Sequence, residues 1–274
     1  MTTRPIFGSH EGPRLDAGAP WLSAALFAFA AVAHVAGEAT PIWVGLAMFV
    51  AGLGHGAGDE NGGAMRGYSP LLILAYVATG LAIAAMFLAA PVAGLALFLS
   101  LSAWHFARSE SGMSQLVNLA IAVLAIGGSA LLRANETSAV FAAILGRAPP
   151  DLLMGGLQIA GAIGLFLAAV AVAGRKRGAL SSAAAALACA AFHPVLAVGL
   201  IFLVMHALPI QRRQIAAYGV DRVVRAVAAP TIIATLGAAA IGMAVWQGWL
   251  ALELAVALAF GMATPHMLTE RLEH

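Results

Sequence analysis

Charge is the first thing this chain lacks. Asp, Glu, Lys and Arg together make up 9% of its 274 residues, too few to coat a soluble globule of this size. Cysteine is nearly absent as well. The single Cys189 excludes disulfides, zinc ribbons and CxxC redox chemistry, and its place in an apolar run marks it as a small packing residue. Aromatics reach only 7%, and the apolar runs do not alternate with polar residues, so the pattern points to a helix bundle and away from a transmembrane barrel. What remains is 62% hydrophobic residues and a mean hydropathy of +0.93. Lipid must be the main solvent, and the backbone must satisfy its own hydrogen bonds within helices. The expected fold class is therefore all-α: a polytopic transmembrane helix bundle with about 8–10 hydrophobic segments.

Apolar stretches bounded by charges, Pro and Gly lie near 20–37, 41–56, 70–90, 91–107, 115–133, 152–174, 180–192, 194–210, 225–246 and 248–267. A polar N-terminal tail covers 1–19, one transmembrane domain covers 20–268, and 269–274 forms a C-terminal tail. Ala31-Val32-Ala33 imitates a signal-peptidase site, but a long polar region precedes it and many spans follow, so the first segment is read as a span.

Whether 180–210 is one helix or two turns on His193-Pro194, because proline disfavours helical geometry in the residue before it. The basic residues decide the matter. With ten crossings and a cytoplasmic N-terminus, Arg4, Arg14, Arg66, Arg108, Arg175, Lys176, Arg177, Arg212, Arg213, Arg222, Arg225 and Arg271 all fall inside, and only Arg133 and Arg147 fall outside. One uninterrupted crossing would send four arginines near 212–225 to the wrong side. Two segments are expected, the first short or re-entrant. A pI near 9.1 then reports topology and not nucleic acid. Trp21, Trp43, Trp246 and Trp249 stand at segment ends, as an interfacial belt requires.

Six of the eight histidines lie in or beside apolar segments, where an ionisable side chain is costly and marks function. His55, His105, His206 and His266 come to the inner ends of their segments, whereas His34 and His193 come to the outer side. His193 and His206 are thirteen residues apart, about 20 Å along a regular helix, too far to share one metal. Four imidazoles at one depth on different helices fit a transition-metal site, since neutral nitrogen donors suit Fe, Zn, Cu or Ni. His55 and His105 each open a His-x-Ala-x-x-Glu run, ending at Glu60 and Glu110, and Asp59 follows His55 by four residues as a partner for its second nitrogen.

These motifs resemble the Brp/Blh family, membrane-embedded β-carotene 15,15'-dioxygenases that cleave carotene to retinal. The matching pieces are Gly54-His55-Gly56-Ala57-Gly58-Asp59, Ser102-Ala103-Trp104-His105-Phe106, His193-Pro194-Val195-Leu196-Ala197, His206 and Thr264-Pro265-His266-Met267. The resemblance implies a non-haem Fe(2+) held by histidines, O2 as co-substrate and an apolar carotenoid reached from the lipid bilayer. His55, His105 and His206 fall on the ligand motifs. A further family histidine, one turn after His206, is replaced here by Ile210. His266 or Gln211 is then the candidate for the vacant place, with Asp59 and His193 as outer partners and Trp104, Phe106 and Phe202 as substrate contacts. Two other functions stay open: a relative that binds carotenoid or retinal without cutting it, and a proton or metal transporter using the histidines and Glu253. The expected setting is the inner membrane, with homo-oligomers possible and no nucleic-acid partner.

Overall fold

The computed structural model describes residues 20–62, 70–109 and 111–269. Among them are eleven helices and no strand: α1 (Pro20–Val35), α2 (Thr40–Gly62), α3 (Pro70–Ala89), α4 (Pro91–Ala107), α5 (Gln115–Leu132), α6 (Ala134–Leu145), α7 (Asp151–Ala173), α8 (Ala179–Ala191), α9 (Pro194–Tyr218), α10 (Val220–Trp246) and α11 (Leu252–Thr269). Proline sits at the start of α4 and α9, where its missing N–H costs no helical bond. Of these helices α5, α7, α9 and α10 are long and apolar enough to cross a membrane, and six shorter apolar helices accompany them. Exposed Leu, Ile, Val and Trp side chains cover the surface of this integral membrane protein, as a lipid solvent demands.

The chain does break before Pro194. Phe192 leaves the helical region, the His193 side chain accepts from the Val195 N–H, and α9 begins. Its predecessor α8 has 13 residues, about 20 Å, and so is a short segment. Sequence periodicity missed α6, which lies in what reads as a polar loop. Its start is set by the Arg133–Glu136 ion pair, and Arg133 also donates to the Ala190 and Ala191 carbonyls that end α8.

The core centres on α5 and α9. Val117, Ile121 and Leu124 of α5 pack with Leu196, Leu200 and Ile201 of α9 and with the alanines of α8. Glycine pairs bring other helices to backbone contact. A Cβ on Gly199 would meet the Gly45 carbonyl oxygen at 2.5 Å, drawing α9 onto α2, and one on Gly261 would meet that of Gly80 at 2.6 Å, drawing α11 onto α3. Lipid supplies no hydrophobic force between helices, so close approach of this kind carries more of the packing than in water.

Within α9, residues Phe202–Ala207 form a wide π-helical turn, in which the Leu208 N–H bonds to the Leu203 carbonyl five residues back. Pro209 explains its position: it offers no N–H to the carbonyl one turn earlier, and the ladder shifts register to compensate. His206 lies inside that turn.

Candidate metal centre

Three histidines meet in the interior. One ring nitrogen from each of His55 (α2), His105 (α4) and His206 (α9) lies within 4.8 Å of the other two, and all three side chains are buried. His105 Nε2 and His206 Nε2 are 3.0 Å apart. That separation is the distance of an N–H···N hydrogen bond, so the two Nε2 atoms face each other, and together with His55 they would hold an ion placed between them. His55 Nδ1 donates to the Gly52 carbonyl at 2.5 Å, which places the lone pair on its buried Nε2. A carbonyl partner of this kind fixes the tautomer that a ligand needs. Neutral imidazoles in a buried interior fit a transition metal by donor chemistry.

His266 of α11 joins this cluster from a fourth helix. Its ring centroid is 5.2 Å from that of His55 and 5.0 Å from that of His105, and both of its ring nitrogens are buried. It stands outside the mutual 4.8 Å triplet. The absence of a side chain at Gly56 admits it, since a Cβ there would be 3.2 Å from three atoms of the imidazole. A similar clearance at Gly54 accommodates Gln211, whose amide nitrogen would be 3.0 Å from such a Cβ. Gln211 thus lies against α2 beside His55. Ile210 is buried, and no donor occupies its place one turn beyond His206.

Aromatic rings flank the cluster. Phe106 lies parallel to His206 with centroids 4.3 Å apart, and Phe202 meets His55 edge-on at 5.2 Å. Phe49, which sequence reasoning missed, stacks on Phe202 at 5.2 Å. Trp104 instead lies beneath the Arg108 guanidinium, 5.5 Å from its ring. The sequence placed Trp104 next to His105, but successive helical residues point about 100° apart.

His193 is not brought to the site. Its backbone N–H donates to His34 Nδ1 at 3.3 Å, and its ring caps α9 at the far end from His206. Burial holds the His193 imidazole below its ordinary value, while the Arg133 hydrogen bond holds the Glu136 carboxyl below its own. The Asp59 and Glu60 side chains and all of Glu110 lie outside the described residues. Gln214 was also missed: it is a buried amide on α9 that donates to the His55 carbonyl at 3.4 Å. Its signal in the sequence is a polar residue two turns beyond His206.

Glu253, a possible relay group when read from sequence, belongs to the first turn of α11, where the helix dipole favours a carboxylate. It lies against the Gly146 backbone at the end of α6.

A family model described as beta-carotene 15,15'-dioxygenase matches residues 46–272. No curated protein and no solved structure matches the chain.

Proposed function

The chain belongs to the beta-carotene 15,15'-dioxygenase family, and from that premise we propose that it is a membrane-embedded non-haem iron dioxygenase cleaving β-carotene, or a related carotenoid, with O2 to give retinal. The observation that carries this reading is the convergence of His55, His105 and His206 on one buried point. The proposed ligands are these three and His266. Iron held there would supply the activation that O2 needs before it reacts with a closed-shell double bond.

The chain's own residues set the conditions for that chemistry. Gly52 orients His55 through its carbonyl, and Phe106 holds His206 by face-to-face contact. Phe106, Phe202 and Phe49 present apolar ring surface beside the histidines, matching an entirely apolar polyene and keeping water away. Carotene dissolves only in the bilayer, so the lipid-facing exterior is also the substrate's reservoir. The basic residues support an inner-membrane setting with a cytoplasmic N-terminus. Residues 20–268 are read as one transmembrane domain.

Expression in a β-carotene-producing bacterium tests the proposal. Loss of colour with appearance of retinal, and iron in the purified protein, is the expected result. Unchanged pigment bound to an iron-loaded protein would favour a carotenoid-binding relative, and unchanged pigment with no metal would overturn the reading. The position of Glu253 in the first turn of α11 leaves the transporter alternative without a buried intramembrane acid among the described residues.

A further inference from the structure

Gln214 and Asn118 are the two buried side-chain amides among the described residues of a largely apolar bundle. Desolvating an amide costs about 1–3 kcal/mol unless it is hydrogen-bonded, so an amide in this position calls for a physical reason. It reaches across to α2, where its Nε2 donates to the backbone carbonyl of His55 itself. That part of α2 reads Gly52-Leu53-Gly54-His55-Gly56-Ala57-Gly58. Each glycine weakens a helix by roughly 0.5–1 kcal/mol relative to alanine, so this stretch holds its shape poorly by itself. The glycines clear space for Phe202, Gln211 and His266, and they leave His55 in a stretch where every second residue from 52 to 58 is glycine. Gln214 and His206 belong to the same continuous helix, α9. One helix therefore provides one imidazole and hydrogen-bonds the backbone of another.

We propose that Gln214 is a positioning residue for the metal centre: its amide fixes His55 against His206 and so sets the spacing of two ligands. This rests on the reading of the histidines as a metal site. The Gly52 carbonyl controls which nitrogen of His55 carries the lone pair, and Gln214 controls where the residue sits along and around α2. Ligand spacing governs affinity, and loss of such outer contacts typically weakens metal binding about 10–100-fold.

The test uses the full-length protein in detergent, with Co(II) as spectroscopic probe. Gln214→Met keeps the length and volume of the side chain but has no N–H to donate. The expected result is a 10–100-fold weaker cobalt affinity and an altered visible ligand-field spectrum, with the melting temperature of metal-free protein unchanged. Should Gln214→Met not yield monodisperse protein, Gln214→Leu, which also has no N–H to donate, carries the same expectation. Wild-type spectrum and affinity in either variant overturn the proposal. So does a lower metal-free melting temperature with an unaltered spectrum, which would make Gln214 a packing residue. Wild-type protein that takes up no cobalt overturns the metal reading itself, a result distinct from failure of the Gln214 assignment.

Discussion

The rings of Phe106 and His206 lie face to face, 4.3 Å between centroids and 17° from parallel, although they come from different helices. Phe106 follows His105 directly in α4, so this helix gives one histidine and clamps another. Stacked rings are worth about 0.5–1.5 kcal/mol beyond their buried area. Phe106→Leu should cost about that much in unfolding free energy and reduce retinal formation by more than the loss of folded protein accounts for. Thermal melts and turnover measured on one preparation check this, and turnover equal to wild type would remove Phe106 from the site.

The four histidines should not be equivalent. His55→Ala, His105→Ala and His206→Ala each remove a member of the mutual triplet, and each should lower metal affinity by about 100-fold or more. His266→Ala leaves the triplet whole and should lower affinity less, while changing the cobalt spectrum. Metal content after dialysis against a graded chelator ranks the variants. Equal loss in all four would place His266 on the same footing as the rest.

Helix contact distances predict a sharp difference between glycines. Gly199→Leu drives its side chain into backbone atoms of Gly45 that cannot move aside, and should destabilise by about 1–3 kcal/mol or more and separate α9 from α2. Metal binding should fall with it, although neither glycine touches a histidine. Gly155→Ala meets nothing within 4 Å and, lying inside α7, should be neutral or stabilise by up to about 1 kcal/mol. Melting temperature and metal uptake of the two variants make the comparison.

Acid should loosen the other end of the bundle. The folded-state values of His193 and Glu136 both lie below their ordinary ones. For such groups the unfolded chain takes up protons earlier as pH falls, so stability is retained above the unfolded values and lost below them. His193 contributes to this loss as pH drops below its ordinary 6.5, and Glu136 as pH drops below 4.5. His193→Gln should flatten the upper limb of the melting temperature against pH, and Glu136→Gln the lower limb. A wild-type profile in both variants would show that the His34, His193, Arg133 and Glu136 group carries none of the acid sensitivity.

Much of this molecule was legible beforehand, for identifiable reasons. Proline 194 announces a break because its ring restricts the preceding residue, and the structure divides α8 from α9 there. The inner-end histidines were separable from His34 and His193 because the placement of the arginines assigns an inner and an outer end to each segment. Helix α6 escaped notice because Asn135, Glu136 and Thr137 make its first turn polar, and only the Arg133 contacts define its start. Phe49 and Gln214 escaped because each meets its partner across a helix interface, and spacing along one helix carries no information about the facing one.

Composition alone determined that this chain is a helical membrane protein, since so few charges leave no alternative solvent, and residue order set the depth of each histidine. Depth does not determine direction. Which imidazoles face one another depends on how the helices rotate and how closely they approach. That is decided by Gly45 against Gly199, the open faces of Gly54 and Gly56, and the wide turn before Pro209. These are pairwise steric facts between helices distant in sequence, so only the folded structure brings His55, His105 and His206 to one point and reveals Gln214 holding the first of them.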